Sequence, residues 1–193
     1  MTGNVAERSG RRWRLVAWSA AASLLVLPWL AMQVTDQVVW DIVDFAILGG
    51  LLAIVGITCE MAARKTASVA YRWAVGVALA AAFMLIGGTL AVGVIGTENN
   101  AANLMFGGVL AVALIGAFVV RFGPRGLARI MAMTAGAQVL VALIALAGRL
   151  GAAGPIWPLD ILGATGGLVG LWLVSAWLFR RSAREGQTVI PQR

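Results

Sequence analysis

The sequence predicts an all-α integral membrane protein: a bundle of six transmembrane helices with both termini in the cytoplasm and no soluble domain. Composition gives the first ground, since 61% of the 193 residues are hydrophobic and 12% are charged, with a mean hydropathy of +0.90, outside the range of a water-soluble domain. The second is the spacing of the apolar stretches. Crossing a hydrocarbon core of about 30 Å takes roughly 20 residues of helix, and stretches of that length with almost no Lys or Arg recur along the chain. The third is charge placement, which alternates between successive connections as the positive-inside rule requires of a multi-span protein.

The predicted spans run over about 13–34, 39–59, 73–96, 102–120, 127–148 and 157–179, between basic tails at 1–12 and 180–193. A β-barrel would alternate apolar and polar residues over about ten positions. The run 78–86 is instead continuously apolar and rich in Ala and Leu, which favours helix. The first span follows Arg8, Arg11, Arg12 and Arg14. A twin-arginine export signal is the competing interpretation there; the long apolar run and the lack of a small-x-small cleavage site after Pro28 favour a membrane anchor.

Between spans two and three lie Arg64, Lys65 and Arg72, and between four and five lie Arg121, Arg125 and Arg129. Arg180, Arg181, Arg184 and Arg193 follow the sixth, so fourteen of the fifteen basic residues fall on one side, with Arg149 alone on the other. That side is the predicted cytoplasmic face. It also carries Glu7, Glu60 and Glu185, whereas Asp36, Asp41, Asp44, Glu98 and Asp160 lie outside. The formal net charge of +7 is therefore a topology signal rather than a nucleic-acid footprint, and it makes the inner face attractive to anionic lipid. Tryptophans mark the interfaces in the same pattern, with Trp13, Trp73 and Trp177 at cytoplasmic ends and Trp29, Trp40 and Trp157 at outer ends.

Small residues should mark helix contacts, because close approach drives association in lipid. The sixth span offers Gly163, Gly166, Gly167 and Gly170, the fourth Asn103, Gly107 and Ala111, the third Gly76 and Ala80, and the second Gly49, Gly50 and Gly56. Packing within the bundle is the expected use of these glycines, with an oligomer interface as the alternative. No internal repeat of the kind that betrays transporters is visible.

Polar residues concentrate toward the outer face. Gln37, Asp41 and Asp44 share one helical face at i, i+4 and i+7, and Asp44 falls roughly 7 Å from the middle of its span at about 1.5 Å per residue. A carboxylate at that depth needs a partner, a bundle interior or a water-filled cavity. Glu98, Asn99, Asn100, Asn103, Arg149 and Asp160 join them on the same side. One reading is an outward-facing pocket for a small cation or cationic solute, with Asp41 and Asp44 as principal ligands and Gln37, Glu98, Asn99, Asn103 and Asp160 around them; oxygen donors suit hard cations. In the other, Arg149 pairs a carboxylate, the asparagines cap a helix, and the remainder face water. Gln138, near the middle of the fifth span, is expected to hydrogen-bond between helices.

The chain has no histidine and one cysteine, Cys59, and it lacks GxSxG, HExxH and P-loop motifs. No catalytic constellation and no cofactor are therefore expected. The stretch GTENNAANLMF at 96–106, together with WDIVDF at 40–45, resembles a family of small multi-span proteins of bacterial inner membranes to which no activity is assigned. Many of its members carry proline where this chain has Ala101. The resemblance implies the same topology and location and draws attention to Asp41, Asp44, Glu98, Asn99, Asn100 and Asn103. Two functions follow as expectations: binding or transport of a small cation or cationic solute, and a non-catalytic subunit or scaffold that packs with a partner membrane protein or a second copy.

Overall fold

The computed structural model describes residues 18–19, 22–23, 25–26, 29–30, 32–34, 41–66, 68–91, 93–96, 100–152 and 157–186. All regular structure among them is helical, with no strand. The long helices are α1 (Ile42–Lys65), α2 (Val69–Ala91), α3 (Met105–Val119), α4 (Pro124–Ala147) and α5 (Leu159–Glu185), with a 3-10 turn at Ala101–Leu104 leading into α3. Each, with the 3-10 turn counted into α3, is long and apolar enough to cross a membrane. They match predicted spans two to six. The first predicted span lies partly outside the described residues; those described between 18 and 34 are all helical.

The chain divides into two units, Met1–Met61 and Ala62–Arg193. In the first, the glycines expected to make contacts do so at Gly56 and Gly49. A Cβ on Gly56 would stand 3.0 Å from the Trp18 ring, and one on Gly49 would stand 3.8 Å from Leu25. Both glycines and both partners are seven residues apart, the repeat that keeps one helix facing another.

In the second unit α5 packs against α2 on one side and α4 on the other, and α4 packs against α3. Burial is centred on an alternation of threes and fours, flanked by Leu127, Thr134 and Val141 on α4 and Ala176 on α5. On α5 it runs Ile161, Thr165, Leu168, Trp172, Ser175, Phe179 and Ser182; on α4 it runs Ala128, Met131, Ala135, Gln138, Ala142 and Ala145. A 3.5-residue repeat on two neighbouring helices gives side-by-side packing at a shallow crossing angle. Small residues on α4 face this seam while α5 brings Leu168, Trp172 and Phe179, so large side chains of one helix fill the space that alanines of the other leave. On α2 the fully buried Ala74 and Ala81, again seven apart, play the same part. Ser175 of α5 comes close enough there to donate its hydroxyl to the Ala74 carbonyl at 2.8 Å.

The seam itself is not built on the glycines of α5. Gly163, Gly166, Gly167 and Gly170 fall between the seam positions and are exposed, and a Cβ on any of them would meet no described residue within 4 Å; the same is true of Gly107 on α3. The approaches of α5 to α2 and α4 use alanine and serine, which allow contact without glycine's loss of helix propensity, whereas α3 meets α4 at Gly116, where a Cβ would stand 2.7 Å from Ile130. Outward positions carry Leu114, Ile115 and Phe118 on α3 and Leu140, Leu143 and Ile144 on α4, a surface that only hydrocarbon solvates favourably.

Candidate functional site

At the start of α1, the first predicted ligands form a local structure. Asp41 Oδ1 accepts the amides of Val43 at 2.8 Å and Asp44 at 3.0 Å. Asp44 Oδ2 in turn accepts the Asp41 amide at 3.0 Å. This is a reciprocal capping box built from two aspartates, in which each carboxylate satisfies amides that the first turn of α1 leaves without partners. The spacing that sequence reading takes as a shared ligand face is thus also the spacing of N-cap and N3. Both residues are exposed. Their carboxylates also sit at the positive end of the helix dipole.

Asn103 is the most structurally committed of the predicted polar residues. It is nearly buried, and its Oδ1 accepts the amides of Val94 at 3.1 Å and Ile95 at 2.9 Å. Asn100 caps the following 3-10 turn through the Ala102 amide at 3.0 Å. Beside this clasp, the connection that follows α2 touches the one that follows α4. Gly96 and Gly151 both have positive φ, 76° and 77°, and a Cβ on Gly151 would lie 2.7 Å from the Gly96 nitrogen. No described acid pairs with Arg149; Asp36 and Glu98, two of the carboxylates on its side of the sequence, lie outside the described residues. The contribution of Arg149 is in the backbone, where φ of 51° turns the chain after α4 and its amide donates to the Leu146 carbonyl at 3.1 Å.

Asp160 Oδ1 lies 2.8 Å from the Ile161 amide at the start of α5. Gln37, Glu98 and Asn99 lie outside the described residues. Among the described residues no three His, Cys, Asp or Glu groups converge as a metal site would need.

Gln138 is fully buried in the α4–α5 seam, but the expected interhelical bond is not formed. Neither its carbonyl nor its amine has a partner, and Thr165 Oγ1 and Trp172 Nε1 in the same seam are equally unpaired. Thr134 bonds back to the Ile130 carbonyl of its own helix at 2.9 Å. The helix spacing set by the alanines and by Trp172 leaves the amide surrounded by apolar atoms.

Sequence reading missed a cleft at the arginine-bearing end. It has a volume of about 750 Å³ and lies between the start of α2, the α3–α4 turn and the end of α5. Tyr71 anchors it, donating its hydroxyl to the Phe122 carbonyl at 3.0 Å and meeting Phe179 edge-on at 5.2 Å. Ser68 donates to Glu185 at 3.0 Å, and Arg181 pairs the other oxygen of Glu185 at 3.3 Å. The turn places Arg121 and Phe122 at φ of 50° and 57° before Gly123 and Pro124 open α4. Two signals in the sequence mark the place. Tyr71 is the only tyrosine, and Ser182 continues the α5 repeat one step beyond the last apolar seam residue. Compared with models of protein families, with curated proteins and with solved structures, the chain matches none.

Proposed function

We propose that this is a non-catalytic subunit or scaffold of a bacterial cytoplasmic membrane. In this reading both termini and the arginine-bearing end face the cytoplasm, and a partner membrane protein or a second copy packs against the glycine-bearing surface of α5. The carrying observation is that surface. Gly163, Gly166, Gly167 and Gly170 sit mid-helix, exposed and with no described residue within 4 Å of a Cβ placed on them, although each glycine in a helix interior costs about 1 kcal/mol relative to alanine. Close approach of another helix is the recurrent reason for such residues in lipid. The capping roles of Asp41, Asp44, Asn100 and Asn103 support the same reading, because they give those polar groups structural work.

The test is crosslinking in native membranes. With Cys59 replaced by serine, a single cysteine at Gly166 is expected to crosslink to a second polypeptide or a second copy, while one at the exposed Leu140 of α4 does not. The absence of any intermolecular product at Gly166 overturns the proposal.

A second reading rests on the five acids against one arginine at the outer end. There Asp41 and Asp44, with Gln37, Glu98, Asn99, Asn103 and Asp160, bind or pass a small cation or cationic solute. Asparagine caps a helix as well as aspartate does, so Asp41→Asn and Asp44→Asn preserve the start of α1 while removing charge. Stabilisation of the purified protein by inorganic cations or small amines, lost in both variants, supports this reading; equal melting behaviour in all conditions eliminates it.

A further inference from the structure

The buried polar side chains of the second unit gather on two helices. Among the described residues, Thr134, Gln138, Thr165, Ser175 and Ser182 all belong to α4 or α5, and Asn103 alone does not. Thr134 and Ser175 are satisfied within the fold, since both donate to backbone carbonyls. Gln138, 0% exposed, and Thr165, 8% exposed, have no partner, and neither has Nε1 of Trp172, 1% exposed. One seam therefore contains an amide nitrogen, an amide carbonyl, a hydroxyl and an indole N–H without hydrogen bonds. Each is unfavourable in an apolar interior unless something outside the fold completes it.

Helix register puts these groups at one height. At the arginine-bearing end Gly123 and Pro124, where α4 starts, line one cleft with Ser182, Glu185 and Gly186, where α5 stops. At the other end α4 stops at Ala147 and α5 starts at Leu159. Both pairings run the helices antiparallel and set Gln138 level with the turn of α5 between Thr165 and Trp172, roughly 4–6 Å along the axis from each at about 1.5 Å per residue. On α2 the same height is fixed by Ser175 on Ala74 and Phe179 on Tyr71. The fully buried α2 side chains there, Ala81 and Leu85, carry no donor or acceptor. Ala135 and Ala142 flank Gln138 on its own buried line, and with Ala81 they leave room that larger side chains would take.

We infer that the α4–α5 seam holds an internal water-binding site halfway along both helices, in which a water bridges the Gln138 carboxamide, the Thr165 hydroxyl and the Trp172 indole N–H. Water both donates and accepts, and a buried water makes about three hydrogen bonds, which matches this set. The indole N–H donates to its oxygen, and its own hydrogens reach the Gln138 carbonyl and the Thr165 oxygen. One water meets only part of the demand of an amide with two N–H donors and a carbonyl, so Gln138 stays unfavourable for stability even when hydrated. What the site supplies is register, since a slide of α4 along α5 would strand all three groups. It is independent of whatever covers the glycines of α5.

The experiment uses the full chain in detergent micelles, with isotope-labelled tryptophan nitrogens for magnetic resonance. Trp172→Phe identifies the Trp172 indole signal by its loss. That signal is expected to show a cross-relaxation peak at the water frequency, of opposite sign in the laboratory and rotating frames, as bound water gives and chemical exchange does not. In Gln138→Met the peak is expected to vanish. No such peak in the parent overturns the site, and so does a peak unchanged in Gln138→Met, where the Thr165 hydroxyl would be its source. Thermal unfolding gives a second readout that needs no signal assignment. Thr165→Val keeps the side-chain shape and is expected to lower the melting temperature of the parent by about 2–4 °C, the scale of one hydrogen bond in a chain of this size. In the Gln138→Met background, where the hydroxyl is already stranded, it is expected to cause no loss. Equal shifts in the two backgrounds show that the residues share no water and overturn the proposal.

Discussion

Single side chains in this protein are decided by whether their hydrogen-bonding atoms find partners away from water. Asn103 and Gln138 show the two outcomes. Removing the Asn103 carboxamide leaves the Val94 and Ile95 amides without an acceptor, so Asn103→Ala is expected to lower stability by about 2–6 kcal/mol, at 1–3 kcal/mol for each orphaned group. Denaturation followed by tryptophan fluorescence in mixed micelles measures it. Gln138 carries the opposite expectation. Its amide is buried and unpaired, so Gln138→Met, similar in length and apolar, should raise stability by about 1 kcal/mol or more in the same assay. Sequence reading locates both residues correctly as polar groups that need explaining. It misassigns Gln138 because an amide in a span is satisfied only if the opposing helix offers a donor at the right height, and one helix's residues do not contain that information. Asp41 and Asp44 illustrate the converse limit, since their i, i+3 spacing suits a helix cap and a ligand pair equally well.

Helices are where the sequence is most legible, and their ends are where it is least so. The second predicted span starts at 39, but α1 begins at Ile42 because Asp41 supplies the cap. The third is predicted from Trp73, with Arg72 taken as a boundary. Yet α2 starts at Val69, where Ser68 accepts the Tyr71 amide at 3.3 Å and Arg72 folds back to the Thr66 carbonyl at 3.0 Å. The sixth is predicted to stop at 179 with the last apolar residue, whereas α5 continues to Glu185, since arginine is a good helix former and the headgroup region solvates it. The buried face of α5 is marked by the 3-4 alternation of Thr165, Leu168, Trp172, Ser175 and Phe179, a pattern less conspicuous in the sequence than its glycines. A pair of substitutions separates the two faces of α4. Ala142→Leu inserts three heavy atoms into the seam and is expected to destabilise by about 1–3 kcal/mol. Gly136→Leu, exposed and with no neighbour within 4 Å of its Cβ position, is expected to be neutral or mildly stabilising. Loss of stability in both, or in neither, contradicts the assignment of the seam.

At the scale of the whole molecule, the proposed orientation rests on the distribution of arginine. A reporter that is active only in the cytoplasm, fused after Arg193, is expected to be active. Inserted next to Gly151 instead it is expected to be silent, and the reverse pattern refutes the inside location of the termini. The order in which α5 meets its neighbours has a further consequence for how the protein is made. α5 is synthesised after both α2 and α4, yet it is the helix that joins them. Until it is synthesised, α2 and α4 each present a seam of alanines to lipid with nothing to fill it, and Tyr71 lacks the Phe179 ring. The α2–α5 and α4–α5 seams therefore close only once α5 is inserted, whereas α3 and α4 pack together without it. A chain that ended before Leu159 would leave α2 and α4 unjoined rather than a smaller bundle, and such products would be substrates for membrane proteolysis.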